Sequence, residues 1–282
     1  LDRNVNVNLE NLLKFDKKNR ELIQKKEKLE NEKKIISQKR DADQFSRSKE
    51  ITKEIEELVN IQVELKIKID EIINIIPNIA LKDVPLGKDE KSNKEIKKVG
   101  QLPKFNFQIK SHYEIGQNLG LMDFDLATKT SGSRFVFLKG KLAELERAIS
   151  NFMIDIHTNQ FQYKEISPPL IAMENTMFGT GQLPKFENDQ FEIKLDGDQK
   201  KFLIPTAEVI LTNMVRDSVI KLNELPIRLV ASTACFRKEA GSYGKDTKGM
   251  LRQHQFYKVE LVSIVDPKKC TEELDRMINC AE

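Results

Sequence analysis

The densest group of side chains that could do chemistry lies in a charged, glycine-containing segment at residues 237–253. Arg237 and Arg252 stand fifteen residues apart near its ends, and Phe256 follows it. A guanidinium binds carboxylate and phosphate oxygens through paired donors, so two arginines could bind one polyanion if the fold brings them together. Taken singly, a loop arginine is usually solvated and a strand phenylalanine usually belongs to the core. The flanking elements therefore decide whether this segment forms a site.

Two runs rich in Val, Leu, Phe and Tyr flank the charged segment, and we predict them to be strands at residues 228–236 and 254–264. Their connection is too long for a minimal hairpin turn, and loops of this length inside compact domains are usually functional or disordered. Upstream, apolar spacing predicts a helix over residues 142–156, followed by a short strand over 163–166 that ends before two prolines. This part of the chain is therefore predicted to mix helices and strands.

Several other kinds of site are not indicated. Cys235, Cys270 and Cys280 form no CxxC pair and leave one cysteine unmatched, which favours reduced thiols in the cytoplasm over a disulfide framework. The sequence has no cluster of histidines and cysteines, so we predict no zinc site. It also has no GxxxxGK[ST] phosphate loop. The sequence has no apolar run of about 18 residues, so we predict no membrane span. The charged amino-terminal end does not resemble a signal peptide. We expect a soluble cytoplasmic protein.

The first third of the chain is predicted to form a helical hairpin. Neither glycine nor proline precedes Pro77. Before residue 41 an apolar residue recurs every seven positions, at Phe15, Leu22, Leu29 and Ile36, which predicts one helix. After a polar break at residues 41–48, a second apolar series with alternating spacings of four and three runs over residues 51–76 and predicts another. Two helices joined by a short connection must run antiparallel.

The charges of the two predicted helices differ in sign. Residues 14–40 carry eleven basic and five acidic side chains, whereas residues 41–75 carry five basic and nine acidic ones. The whole chain is nearly balanced, with 47 basic and 44 acidic residues. The first helix could therefore face a polyanion, although solvated coiled coils carry charged outer faces without any such partner.

Residues 77–100 have the composition of a linker, with Pro, Gly, Asp, Lys, Asn and Ser in place of the heptads. A chain of 282 residues is long enough for about two domains, and 39% apolar residues suffice for a core. We predict a helical arm with its linker at residues 1–100 and a second domain at residues 101–282.

Four segments around the charged loop form one long pattern, and two more precede it. The four are Phe236-Arg237-Lys238-Glu239-Ala240-Gly241-Ser242, Asp246-Thr247-Lys248-Gly249, Arg252-Gln253-His254-Gln255-Phe256 and Lys258-Val259-Glu260. The two others are GTGQLPKF at residues 179–186 and LIPTAE at residues 203–208. The pattern resembles the second signature motif of class II aminoacyl-tRNA synthetases in its seryl form, and LIPTAE resembles the family's Thr-x-Glu serine loop. The helix and strand at residues 142–166 resemble the first class II motif, which forms the family's dimer interface.

The resemblance implies an α+β fold in which an antiparallel two-helix coiled-coil arm precedes a class II catalytic core built on an antiparallel sheet. It implies ATP-dependent activation of L-serine to seryl-adenylate and transfer to serine tRNA, with selenocysteine tRNA as a further expected substrate. It also implies a cytoplasmic homodimer, with Mg²⁺ arriving with ATP and no zinc. The third class II motif is missing from the 282 residues, so we expect a truncated, catalytically incomplete core.

For ATP the resemblance implies Arg237, Lys238, Glu239, Arg252 and Phe256. Arg237, the expected catalytic residue, would bridge the α-phosphate and the serine carboxylate, because its planar fork serves two oxygens at once. Arg252 would reach the outer phosphates. Phe256 would stack under adenine, and Glu239 would accept from the exocyclic amine. Fixed charges of this kind stabilise a phosphorus centre during transfer.

For serine the resemblance implies Thr206, Ala207, Glu208, Arg237 and Glu260. A buried carboxylate that needs the substrate's hydroxyl and ammonium protons can reject alanine by about 10⁴. The spacing leaves open which group binds the ammonium and which the hydroxyl. The Gly179–Phe186 stretch is interpreted as a flexible cover over the site, and His254 as structural.

The amino-terminal hairpin resembles the family's tRNA-binding arm, which would bind the long variable arm of serine tRNA by backbone shape. The residues expected to do so are Lys25, Lys26, Lys28, Lys33 and Lys34. The sequence departs from the family at Gln162, Ile210 and Tyr257, where glycine, proline and aspartate are usual. Two alternatives stay open: an amino acid:carrier-protein ligase on the same core, and a tRNA-binding protein without activity.

Overall fold

The structure is a computed structural model that describes residues 7–39, 45–194, 197, 199–240 and 248–282. Clustering of the backbone separates two compact units, Leu1–Leu102 and Pro103–Glu282. The first half of the predicted break between the arm helices, residues 41–44, lies outside the described residues. So do Gly241, Ser242, Asp246 and Thr247, which belong to the synthetase-like pattern.

The first unit contains the predicted helical hairpin, formed by α1 at Leu9–Lys39 and α2 at Phe45–Ile73. Its seam is made by apolar residues that the heptad spacing brings to one side of each helix, and Leu22, Ile36, Ile51 and Leu65 are buried there. The end of α1 contacts the start of α2, because Lys33 Nζ donates to Thr52 Oγ1 at 2.8 Å and Arg47 Nε donates to Glu32 Oε1 at 2.9 Å. Lys25 and Lys28, earlier on α1, line a groove with Glu57 and Ile61, later on α2. The helices are therefore antiparallel.

Both ends of α2 differ from the sequence-based bounds. The helix already begins at Phe45, inside the predicted polar break. Arg47 supports this first turn by pairing with Glu50 and Glu54 of the same helix at 3.5 and 2.9 Å, as well as with Glu32 of α1. The helix ends at Ile73, before the predicted bound of 76. A residue that precedes proline is pushed out of the helical conformation, so Pro77 explains the earlier end.

The second unit combines six helices and eight strands in its described part. Its helices are α3 His112–Asn118, α4 Phe124–Ser131, α5 Lys141–Asn159, α6 Glu174–Gly179, α7 Glu208–Asn213 and α8 Cys270–Ala281. Its strands are β1 Met122–Asp123, β2 Phe137–Leu138, β3 Lys164–Glu165, β4 Ile171–Met173, β5 Glu192–Ile193, β6 Lys201–Leu203, β7 Ile227–Phe236 and β8 Gln255–Ile264. They form sheets in the orders β1-β2, β3-β7-β8 and β4-β6-β5.

The sheet β3-β7-β8 is built on one long antiparallel ladder. β7 and β8 pair over ten residues each, from Ile227 opposite Ile264 to Phe236 opposite Gln255. β3 joins the other edge of β7 in the parallel direction, with Lys164 opposite Leu229. Helix α5, predicted over residues 142–156, extends over Lys141–Asn159 and leads into β3. The α+β class and both long strands are thus confirmed.

The core lies on both sides of these sheets. Phe202 of β6, Ile204 after it and Met177 of α6 are fully buried in one cluster. Leu211 of α7 packs with Leu229 and Val262 of the long ladder. On the other side, Ile154 of α5 and Cys280 of α8 pack with Tyr163 and Val230. The long ladder therefore packs against α7 on one face and against α5 and α8 on the other.

Two departures from the family pattern have visible surroundings. Gln162 adopts a φ of 60°, in the left-handed region where a side chain costs about 1–2 kcal/mol, which accounts for the glycine usual there. Ile210 lies in α7, partly buried against the Phe202 cluster. Both positions are structural.

Candidate active site

The site follows from the pairing of β7 with β8. In an antiparallel ladder, directly opposed residues point to the same face of the sheet, and every second residue does so along a strand. One face carries long side chains from β8 and small ones from β7, which leaves room for a bound molecule above β7. The opposed pairs on this face are Ala231 with Glu260, Thr233 with Lys258, and Cys235 with Phe256.

Arg237 follows β7 directly and is fixed at this end of the face. Its backbone N–H donates to the carbonyl of His254 at 3.0 Å, which continues the ladder beyond Phe236. Its guanidinium lies 5.2 Å from the centre of the Phe256 ring, and Nε donates to the carbonyl of Pro205 at 3.3 Å. A guanidinium over an aromatic face is attracted to it. The two residues are therefore held together before any ligand binds.

His254 contributes to the support of this end. Its Nδ1 lies 3.0 Å from the carbonyl oxygen of Arg237. Its ring lies 5.4 Å from the ring of Phe135 and 5.8 Å from that of Phe191. These contacts match the structural role expected for it.

Glu239 occupies a strained backbone position next to Arg237. Its φ is 52°, a left-handed conformation that costs a non-glycine residue of order 1–3 kcal/mol. Arg134 Nη1 donates to its carbonyl at 2.9 Å, and the N–H of Ala240 donates to Asp189 Oδ1 at 2.7 Å. Sequence reasoning missed both Arg134 and Asp189, since neither belongs to a recognisable motif. Both residues hold the backbone of this segment, and Asp189 also lines the cavity beside it.

Arg252 and Glu239 form an ion pair, with Arg252 Nη1 3.0 Å from Glu239 Oε2. The sequence assigned these residues to different parts of one nucleotide, the outer phosphates and the adenine amine. The structure joins them directly. Lys238 is placed elsewhere: it is exposed, and its ammonium lies 5.9 Å from the centre of the Phe191 ring.

Two neighbouring cavities share Arg237, Glu239 and Arg252. The first, of about 510 Å³, is also lined by Gln182 and Phe186 from the segment interpreted as a cover. The second, of about 490 Å³, is lined by Phe256 as well. Arg237, Arg252 and Phe256 therefore converge on one cavity, of a size typical for small-molecule sites.

Thr206, Glu208 and Glu260 meet further along the same face. The Thr206 hydroxyl donates to Glu260 Oε2, and the backbone N–H of Glu208 donates to the same oxygen at 3.0 Å. Lys258 Nζ donates to Thr206 Oγ1 at 2.7 Å and to Glu260 Oε1 at 2.8 Å. Ala207 is different, because its side chain is fully buried in the core with Leu211, Leu229 and Val262. Any ligand contact of Ala207 would have to come from its backbone.

The electrostatics of this cluster favour a cationic ligand. It contains two carboxylates, Glu208 and Glu260, and one ammonium, Lys258. Removal from solvent raises the pKa of Glu208, and the charge of Glu260 raises it further, while Lys258 opposes both. Burial also raises the pKa of the Cys235 thiol beneath the cluster, which keeps that thiol neutral. The excess negative charge suits the ammonium of an amino acid.

The lysines expected to bind tRNA lie on α1, where the structure gives them different surroundings. Lys25 and Lys28 line a groove with Glu54 and Glu57 of α2. Lys26 lies 3.7 Å from Glu30, and Lys33 donates to Thr52 at 2.8 Å. Lys34 is exposed. Part of the basic charge is therefore used within the hairpin itself.

The described residues show neither a metal-ligand cluster nor a membrane-spanning helix. Within these ranges no group of three or more His, Cys, Asp or Glu side chains could hold a metal ion. The helices that the structure describes include none long and apolar enough to cross a membrane. The three cysteines are free thiols.

Comparison with known proteins gives matches over nearly the whole chain. Residues 191–282 match the family described as tRNA synthetase class II core domain (G, H, P, S and T). The chain is 61% identical to the serine–tRNA ligase of Pelagibacter ubique over 280 residues, covering 99% of this chain and 67% of that protein. It is 53% identical to that of Ehrlichia ruminantium over 239 residues, covering 85% and 55%. The chain thus spans between half and about two thirds of the curated relatives it matches.

Solved structures agree in fold along the chain. Seryl-tRNA synthetase from Pyrococcus horikoshii, complexed with ATP, matches with a TM-score of 0.83 at 31% identity, covering 96% of this chain and 66% of that one. The cytoplasmic serine–tRNA ligase of Naegleria fowleri, in complex with AMP, matches with a TM-score of 0.80 at 28% identity, covering 96% and 63%. Sequence identity, the core-domain match and the fold lead to one conclusion: the chain belongs to the serine–tRNA ligase family.

Proposed function

We propose that this chain carries the arm and a large part of the catalytic core of an ATP-dependent ligase that activates L-serine and transfers it to serine tRNA. The observation that carries the proposal is the single sheet face on which Arg237, Phe256 and the Thr206–Glu260 pair lie together. Arg237, which can bind oxyanions, lies between the cavity lined by Phe256, suited to a nucleotide, and the cluster of Thr206, Glu208 and Glu260, suited to an ammonium. The ATP and AMP complexes of the two structural relatives support this assignment.

Activation joins a serine carboxylate oxygen to the α-phosphorus of ATP and releases pyrophosphate. The carboxylate is already ionised at neutral pH, so the residues need only align it and stabilise the charge on the phosphorus centre. Arg237 fits this role, because its guanidinium faces both the cavity lined by Phe256 and, through Pro205, the Thr206 loop. Phe256 would hold adenine, and Arg252 would bind the outer phosphates once its pair with Glu239 is shared or opened. Transfer to the tRNA hydroxyl then releases AMP.

Mg²⁺ is expected to accompany ATP and to neutralise phosphate charge. The described residues offer no group of three or more metal-ligating side chains, so phosphate oxygens and water would supply most ligands of such an ion.

Serine selectivity would come from the Thr206–Glu208–Glu260 cluster. Serine brings an ammonium and a hydroxyl, whereas alanine lacks the hydroxyl and would leave a polar partner unsatisfied. The side chain of Thr206 is almost completely buried, with 3% of its surface exposed. Such an environment makes an unsatisfied partner costly.

The first test is serine-dependent ATP–pyrophosphate exchange by the enzyme produced from the complete open reading frame. We expect exchange with serine and at least about 10³-fold less with alanine, from the loss of one buried hydrogen-bonding partner and its desolvation cost. Subsequent charging of serine tRNA distinguishes the ligase from both alternatives. Charging of a carrier protein in place of tRNA would favour the amino acid:carrier-protein ligase. Binding of tRNA with no exchange would favour the tRNA-binding protein without activity.

We further propose that the helical hairpin binds serine tRNA, through Lys25, Lys26, Lys28, Lys33 and Lys34. The long α1–α2 rod and the basic excess of α1 support this role. Because binding to phosphates releases counterions, tRNA affinity should fall steeply with salt. Deleting residues 10–75 should abolish tight tRNA binding while serine-dependent exchange persists. Unchanged aminoacylation by the deleted enzyme would overturn the assignment.

A homodimer is proposed from the outer surface of α5. Leu145, Ile149, Met153 and Tyr257 line an apolar depression of about 320 Å³ there. Phe152 of the same helix is 62% exposed. This is the position of the first class II motif, and an exposed apolar patch of this kind is typical of a protein interface. Sedimentation should give the mass of a dimer, and Phe152→Asp should shift it towards the monomer.

Location in the cytoplasm and use of selenocysteine tRNA are also proposed. The free thiols and the tRNA substrate support the first. The second depends on the same arm and is tested by charging that tRNA in parallel.

A further inference from the structure

We propose that Lys258 is a positioning residue for serine: its ammonium orients Thr206 and Glu260 and offsets the repulsion between the Glu208 and Glu260 carboxylates, so that the cluster is ready for the substrate's ammonium. The inference rests on the proposed function. Sequence comparison gave Lys258 no role beyond its place in the pattern before Glu260.

The geometry of Lys258 is that of a bridge. On β8 it lies two residues before Glu260, so both side chains project from the same face. Its Nζ donates to Glu260 Oε1 at 2.8 Å and to Thr206 Oγ1 at 2.7 Å. The other carboxylate oxygen, Glu260 Oε2, accepts from the Thr206 hydroxyl and from the N–H of Glu208. Lys258 thus fixes one oxygen of Glu260 while the Thr206 loop fixes the other.

The short residues around Lys258 leave room for its long side chain to reach Glu260. The residue opposite it on β7 is Thr233, which is small and buried, and beside Thr233 lie Ala231 and Cys235. A lysine over such short neighbours can extend along the sheet towards Glu260. Its side chain is 29% exposed, so its role is not that of a core residue.

The charged and titratable groups around Glu260 show why a cation is needed. Glu208 faces it from the start of α7, the Cys235 thiol from β7, and Lys258 from β8, while Arg237 lies further along the same face. The two carboxylates repel each other, and the charge of Glu260, together with partial removal from solvent, raises the pKa of Glu208 although that residue is exposed. Lys258 is the nearby cation that opposes this, in agreement with its effect on Glu208.

The expected partner change is specific. When serine binds, its ammonium and hydroxyl need acceptors on Thr206 and Glu260, and these acceptors are held by Lys258 in the present arrangement. Because the lysine stem is flexible, Nζ can keep one bond to Glu260 and release the other to the substrate. The site therefore stays charged and oriented through the exchange.

The test uses Lys258→Met and Lys258→Gln in the enzyme from the complete open reading frame, with pyrophosphate exchange as the assay. We expect the KM for serine to rise at least about tenfold, whereas the KM for ATP stays within about twofold, because loss of one charge-assisted hydrogen bond is worth about a factor of ten. The acid limb of the serine kcat/KM profile should move to higher pH, since Glu208 loses the cation that lowers its pKa. Lys258→Arg should restore most of the serine KM.

The controls separate the possible failures. Lys268→Met removes an exposed lysine from the turn before α8 and should leave both KM values unchanged. A variant that raised the KM for ATP and for serine equally, with an unmoved pH profile, would show a merely structural role and overturn the proposal. A serine KM unchanged in both Lys258 variants would overturn it as well. Absence of serine-dependent exchange in the unmodified enzyme would instead count against the proposed function.

Discussion

Glu273 offers a stability prediction whose size can be worked from the structure. Its side chain, on α8, is 9% exposed and accepts from Arg228 Nε and Nη2, both at 2.8 Å. Ser263 and Arg276 also donate to Glu273, at 2.9 and 3.0 Å. The hydrogen bonds from Arg228 are the largest cause that lowers the pKa of Glu273 from 4.5 to about 2. This cluster fastens α8 to the long ladder.

The magnitude follows from linkage between protonation and folding. A carboxyl whose folded pKa lies about 2.5 units below its unfolded value contributes about 3.4 kcal/mol at neutral pH, at 1.36 kcal/mol per unit. Because the folded pKa is depressed, this contribution is fully present above pH 4.5 and is lost as the pH falls towards 2. At pH 3 about 1.4 kcal/mol should remain.

The perturbation is Glu273→Gln, which keeps the shape and removes the charge. Urea unfolding followed by tyrosine fluorescence is a suitable assay, since the chain has no tryptophan and Tyr163 accepts a bond from Arg276 in this cluster at 2.8 Å. We expect the free energy of unfolding to fall by about 3 kcal/mol at pH 7 and by about 1–2 kcal/mol at pH 3. Glu272→Gln, its exposed neighbour, is the matched control. A loss below about 0.5 kcal/mol at pH 7, or one independent of pH, would refute the reasoning.

Three further predictions concern the active site. Arg237→Lys should lower kcat for pyrophosphate exchange by about 10²-fold, because an ammonium cannot serve two oxygens from the position above Phe256; a change below fivefold would contradict this. Thr206→Ala should raise the serine KM about tenfold with the ATP KM unchanged, and isothermal titration with serine checks the binding step independently. Serine affinity should already fall with decreasing pH above pH 4.5, because burial and Glu260 raise the pKa of Glu208 from that ordinary value and its protonation removes a negative charge that attracts the serine ammonium; a flat profile there would be evidence against it.

Much of the fold could be predicted from periodicity. The heptads of the first third predict two helices, and α1 and α2 are present with a buried seam at Leu22, Ile36, Ile51 and Leu65. The bounds were less accurate: Arg47 extends α2 towards the amino terminus through pairs with Glu32 and Glu54, and no periodicity reports such pairs. The long strands were found from composition alone, and the register between them required the structure.

The candidate site could be predicted only in part. The resemblance to class II synthetases assigned Arg237, Phe256, Thr206 and Glu260 to one site, and the structure brings them together. It separates Lys238 from the cavities and turns the Ala207 side chain into the core. Spacing along a chain specifies which residues share a strand. It does not specify which neighbours arrive from other elements, and so Asp189 and Arg134 escaped notice.

The sequence by itself determined the class of fold, the family and the residue types available for binding, because apolar periods and motif spacing are local properties of the chain. Only the tertiary structure decided that Lys258 bridges Thr206 and Glu260 and that Arg252 pairs with Glu239. Thr206 and Lys258 are 52 residues apart, and they meet because the ladder of β7 and β8 packs against α7. Contacts of that range depend on sheet register and on packing between elements, which a linear pattern does not contain.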